Sequence, residues 1–108
     1  MITRTLSTII KDMAGKMPVI SITGPRQSGK TVLSKACFPE YDYVNLENPD
    51  VFDDAKSDPR YFLTRHKKGI IIDEVQRMPE LFSYIQTISD ENGRNGEFIL
   101  NGFDYFTH

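Results

Sequence analysis

Two short stretches of this 108-residue chain hold residue types at spacings that could do chemistry. The first is Gly24-Pro25-Arg26-Gln27-Ser28-Gly29-Lys30-Thr31. Glycines at its two ends let the backbone curl, so that successive N–H groups and the positive end of a following helix face an anion. In such a loop Lys30 would reach the β- and γ-phosphates of a nucleotide, and the Thr31 hydroxyl would ligate Mg²⁺. Arg26 projects from the same loop, either to sense phosphate or to sit in water. A chance match to G-x-x-x-x-G-K-[ST] in a chain this long is on the order of half a per cent.

The second stretch is Gly69-Ile70-Ile71-Ile72-Asp73-Glu74, an apolar run ending in two carboxylates. Buried strands of open α/β sheets deliver side chains to their carboxyl ends, where ligands bind. Asp73 is therefore expected beside Thr31 across the Mg²⁺, through a water, because magnesium keeps much of its hydration shell. Glu74 is suited to polarise the water that attacks a γ-phosphate. The plainer alternative for the pair is capping of the next turn. Taken together, the two motifs imply hydrolysis rather than passive binding. They also argue against a small-molecule kinase, whose acceptor would need its own pocket and base. A third candidate is Asn101, at the end of an apolar run, where its amide could orient the attacking water. Asn101-Gly102 is equally a common turn dipeptide, and both readings stay open.

These residues need elements to hold them. Val19–Thr23, 41–46, 70–72 and 98–100 are short apolar or β-branched runs and read as four strands. Asn48 before Pro49 and Asp58 before Pro59 mark helix starts, each with a capping side chain ahead of a proline that misses no N–H. The second of these helices is predicted to run to Lys68 and stop at Gly69, with His66, Lys67 and Lys68 at its negative end. Pro79 begins another, with Leu81, Ile85 and Ile88 on one face and Gly93 beyond its end. Ile2, Leu6, Ile9 and Met13 recur at helical spacing, which predicts an amphipathic helix over 1–17 that covers the core with that stripe. The same segment is basic enough to be mistaken for an organelle presequence. Strands that alternate with helices, and are apolar on both faces, predict an α/β class with a mainly parallel sheet of about four strands between helical layers.

Composition narrows the function classes. Fifteen acidic against thirteen basic residues give a net charge of −2, and the pI is near 5.6, so direct nucleic-acid binding is not expected of this chain. Apolar runs such as 70–72 fall far short of the ~20 residues of a membrane span. The lone Cys37 excludes a disulfide framework and fits a reducing, cytoplasmic setting; near a helix end it reads as buried packing.

Ile22-Thr23-Gly24-Pro25-Arg26-Gln27 with Gly29-Lys30-Thr31, Tyr43-Val44-Asn45-Leu46-Glu47, and Ile71-Ile72-Asp73-Glu74-Val75-Gln76-Arg77-Met78-Pro79 together resemble a prokaryotic family of AAA-superfamily P-loop ATPases. The resemblance spans about residues 4–102 and implies an ATP-binding, ATP-hydrolysing module. Gly24 to Thr31 would form its phosphate loop, Thr31 and Asp73 would serve Mg²⁺, and Lys30 and Glu74 would act in catalysis. In such ATPases a strand is inserted between the two motif strands, and 98–100 is the candidate. Asn45 and Glu47 would face the same rim, in a solvated or capping role. The family reads Thr-Gly-Ser where this chain has Asn101-Gly102-Phe103, and no fifth strand, helical lid or arginine finger is found. The expected organisation is therefore one partial domain: core 18–102, tail 103–108, truncated before the fifth strand and lid, with weak turnover. The alternative is a nucleotide-binding module that self-associates into a homo-oligomer through an exposed sheet edge.

Overall fold

The computed structural model describes residues 4–24 and 29–102. Chain order is α1 (Arg4–Ala14), β1 (Val19–Thr23), α2 (Lys30–Cys37), β2 (Asp42–Asn45), α3 (Pro49–Ser57), α4 (Pro59–Thr64), β3 (Ile70–Asp73), a 3-10 turn (Val75–Arg77), α5 (Leu81–Asn92) and β4 (Phe98–Gly102). The four strands form one parallel sheet in the order β1-β4-β3-β2. The strand expected between the two motif strands is therefore there. It extends two residues further than the apolar run, and Asn101 lies inside it opposite Ile22 rather than in a turn.

Side chains alternate across the sheet, so one strand feeds two cores. Ile70, Ile72, Phe98 and Leu100 pack beneath α3, α4 and α5 with Phe62, Leu81 and Ile85. Ile71 and Ile99 point the other way, into a cluster with Ile10, Ile20, Leu33 and Cys37 from α1, β1 and α2. At roughly 1.5–3 kcal/mol for each fully buried large aliphatic side chain, these two layers supply the main driving force. The central strands β3 and β4 are buried throughout, whereas β1 and β2 are partly exposed. The expectation of strands apolar on both faces thus holds only for the middle pair.

Capping follows the local rules. Asn48 accepts from the Asp50 N–H and Asp58 from the Tyr61 N–H, and each helix starts on proline. The helix begun at Pro59 ends at Thr64, four residues earlier than expected. His66 lies beyond it, buried, with Nε2 2.7 Å from the Phe62 carbonyl and Nδ1 2.7 Å from Asp42 Oδ2. A side chain thus takes over the last-turn carbonyl that another turn of helix would have satisfied. Pro79 does not open the next helix: it forms a turn with Glu80, and α5 begins at Leu81.

The first helix needs a correction. Its buried face is Ile10 and Ala14, with Ser7 half-buried, whereas Leu6, Ile9 and Met13 are 44%, 50% and 37% exposed. Ile2 lies outside the described residues. Two stripes of helical period compete in this segment, and the one with the smaller side chains wins because it lets α1 approach α2 closely. Ser7 Oγ comes within 3.3 Å of Cys37 Sγ.

Candidate nucleotide site

The three ends that matter lie at the carboxyl edge of the sheet. Thr23 is opposite Gly102, Ile22 opposite Asn101, and Asn45 opposite Asp73. β1 sends its chain across the sheet through α2, and β3 returns in the other direction through α5, so a crevice opens between them with the end of β4 in it. Alternation then assigns faces. Asp73 shares the face of Ile71, and Asn101 that of Ile99, so both are on the α2 side of the sheet.

Gly29, at the N-terminus of α2, has φ 87°, a left-handed conformation that glycine adopts without steric cost. It turns the chain so that Lys30 and Thr31 open the helix. Lys30 is buried. Thr31 Oγ1 donates to Asp73 Oδ2 at 2.5 Å. The pair expected to flank a cation is therefore in direct contact across the crevice. Pro25, Arg26, Gln27 and Ser28 lie outside the described residues, as do Phe103 to His108.

Asp73 is a buried carboxylate with three donors. Besides Thr31, the Tyr43 hydroxyl donates to Oδ2 at 2.6 Å and the Glu74 N–H to Oδ1 at 3.0 Å. A buried carboxylate is tolerable only when so paired. Burial, and then the hydrogen bond and charge of Asp73, push the Tyr43 phenol well above its ordinary value, so it remains a donor.

Glu74 is the single non-glycine residue with positive φ among the described residues, at φ 56°, ψ 43°. Backbone held in this region costs on the order of 1–3 kcal/mol and persists where the surroundings enforce it. Its carboxylate is buried and accepts from Gln76 Nε2 at 2.7 Å. Gln76 packs in turn on Gly102, where an added Cβ would stand 2.5 Å from Gln76 Oε1. A glycine after Asn101 is needed for that close approach.

Asn101 is fully buried. Its Oδ1 accepts from Ser34 Oγ at 2.9 Å, and the same hydroxyl is 2.8 Å from the Lys30 carbonyl. Asn101 Nδ2 has no hydrogen-bond partner among the described residues. An unpaired buried donor costs about 1–3 kcal/mol, which a structural role would not require.

The sequence reading did not single out Tyr43, Ser34 or Gln76. Ser34 stands one helical turn after Lys30, and Gln76 two residues after Glu74, so spacing offered a signal for both. Asn45 takes the capping role, its Oδ1 accepting the Glu47 N–H at 2.8 Å. Arg77 is exposed, and Arg94 ties Glu97 to the carbonyls of Lys67 and Lys68.

This parallel sheet, with a phosphate-loop sequence after β1 and an acidic pair closing β3, defines a nucleotide-binding domain of the P-loop class. A family model described as an AAA domain matches residues 16–104, and the chain belongs to that family. Among known proteins it is 37% identical over 90 residues to an uncharacterized protein of Mycobacterium tuberculosis, and equally to one of Mycobacterium bovis. Each match covers 81% of this chain and 20% of the relative, so the chain spans about a fifth of the length of these curated relatives. No solved structure matches it significantly.

Proposed function

We propose that this domain binds ATP with Mg²⁺ and hydrolyses it slowly, in the cytoplasm. The observation that carries the reading is the Thr31–Asp73 contact, which joins the two motifs at the carboxyl edge of the sheet although they lie 42 residues apart. The donor set fits the cation. One hydroxyl and one carboxylate oxygen suit a hard ion that keeps several waters, and magnesium is such an ion. Among the described residues no three His, Cys, Asp or Glu side chains gather as a metal cage. When bound, Mg²⁺ would neutralise charge developing on the β- and γ-phosphates.

The chain's own groups divide the remaining work. The backbone from Gly24 through Gly29 and the Lys30 ammonium hold phosphate oxygens. Thr31 and Asp73 hold the hydrated cation. Glu74 accepts a proton from the attacking water, oriented by the Gln76 amide. Asn101 supplies Nδ2, without a partner among the described residues, to the γ-phosphate or to that water. An arginine finger is worth roughly 10³–10⁵ in turnover. Without one from elsewhere, binding is retained and hydrolysis is slow. No helix among the described residues is long and apolar enough to cross a bilayer.

Calorimetry of ATP, ADP and GTP with Mg²⁺ tests binding against Lys30→Ala, which should abolish the heats. Equal heats from both proteins would refute the assignment. Phosphate release should be Mg²⁺-dependent and lost in Glu74→Gln with binding kept.

One observation favours a second reading, self-association. Among the described residues β1 pairs with β4 alone, and its exposed Ser21 and Thr23 border a mostly apolar cavity of about 270 Å³ that reaches Val75, Phe82 and Leu100. A second copy adding a strand there would cover both edge and cavity. Sedimentation across concentration decides it, and a strict monomer would count against this reading.

A further inference from the structure

Tyr43 belongs to neither the phosphate loop nor the acidic motif, yet its hydroxyl meets Asp73. We propose that Tyr43 is a positioning residue for the metal end of the site, its hydroxyl holding the Asp73 carboxylate in the orientation that a hydrated divalent cation beside Thr31 requires. The inference rests on the Mg²⁺–nucleotide reading above.

Register brings the phenol there. Tyr43 lies opposite Ile71, two residues before the Asn45–Asp73 pair, so its side chain shares the face of Ile71 and Asp73. The ring packs half-buried against the α1–α2 cluster, with Lys35 Nζ 3.9 Å from its centroid. Held against that layer, the ring delivers Oη to Asp73 Oδ2 at 2.6 Å.

The count of acceptor sites says what this does. A carboxylate has about four lone-pair sites, two on each oxygen. Tyr43 and Thr31 occupy both on Oδ2, and the Glu74 N–H occupies one on Oδ1. Among the described residues one site is left, on Oδ1, for a water of the cation's shell. When the Thr31 oxygen turns its lone pair to a cation, its O–H can stay on Asp73 only if the carboxylate does not rotate away. Thr31 stands on the helix that follows the nucleotide loop, and the Glu74 N–H belongs to the acidic turn itself. Tyr43 is the donor that comes from a different strand, and it fixes the carboxylate plane independently of the nucleotide. Removing such a partner of a metal-binding group typically costs 10–100-fold in metal affinity.

Tyr43→Phe removes the hydroxyl and keeps the ring. The Mg²⁺ midpoint for ADP binding should rise about tenfold or more in the variant, while ADP binding in EDTA equals that of wild type. The chain has no tryptophan, so near-ultraviolet difference absorption reports its five tyrosines directly. Adding Mg²⁺ to the ADP-bound wild type should perturb that band, and the perturbation should vanish in Tyr43→Phe. Tyr41→Phe is the control, because that hydroxyl donates to the Gly96 carbonyl at 2.7 Å, away from the crevice, and should leave the midpoint unchanged. A Tyr43→Phe midpoint within twofold of wild type would overturn the inference and leave the nucleotide reading standing. So would equal loss of ADP binding with and without Mg²⁺, which marks a general structural role. A wild type that binds no ADP overturns both.

Discussion

Asn101→Val separates what the buried amide does for the fold from what it does for a ligand. In the fold, Asn101 offers one hydrogen bond, accepted from Ser34, and carries one N–H₂ group with no partner among the described residues. Removing the amide loses about 0.5–1.5 kcal/mol for that bond and relieves about 1–3 kcal/mol of unpaired burial. Ser34 is not orphaned, since its hydroxyl keeps the Lys30 carbonyl at 2.8 Å. Valine also suits a central strand better than asparagine. The balance lies between about −0.5 and 2.5 kcal/mol in favour of the variant, so calorimetric Tm should stay nearly level or rise by up to about 10 °C. Toward the ligand the sign reverses. A charge-assisted bond from Nδ2 to a γ-phosphate is worth about 1.5–3 kcal/mol, or roughly 10–150-fold in affinity. Titration calorimetry should therefore show ATP binding weakened by that factor relative to ADP, whose affinity is unchanged. A variant that loses more than about 2 kcal/mol of stability and keeps its ATP-to-ADP ratio would refute the reasoning, making Asn101 a structural amide.

Three further outcomes follow from particular contacts. Gly102→Ala drives a methyl to 2.5 Å from Gln76 Oε1; overpacking of about 1–3 kcal/mol is expected, and phosphate release should fall while ADP binding is kept, with Gln76→Ala restoring stability but not turnover. Ile10→Ala should destabilise by roughly 2–4 kcal/mol and Ile9→Ala by under about 0.5 kcal/mol in urea titrations, because only Ile10 is buried. The raised phenol of Tyr43 stays neutral in the fold at a pH where the unfolded chain ionises. Its contribution is fully present below the unfolded value of about 10 and is lost as pH climbs toward the folded one. Urea midpoints above pH ~10 should thus fall more steeply in wild type than in Tyr43→Phe.

Much of this protein is determined within a few residues of itself. The prolines behind Asn48 and Asp58 set φ and free a capping oxygen, so those helix starts are legible from tetrapeptides. Short β-branched runs between them can only be strands of a covered sheet, and strand alternation alone puts Asp73 and Asn101 at its rim. Side-chain partners across the sheet are another matter. Strand order decides that Asp73 meets the phenol of Tyr43 and that Asn101 meets Ser34, and no local preference encodes which strand lies beside which. The same limit explains α1, where two stripes of equal period compete and the closeness of α2 selects Ile10 and Ala14 over Ile9 and Met13. It also explains α4, which stops early because His66 finds the Phe62 carbonyl and Asp42 together. Local backbone chemistry writes the motifs, and the packing of distant elements supplies the donors that orient them.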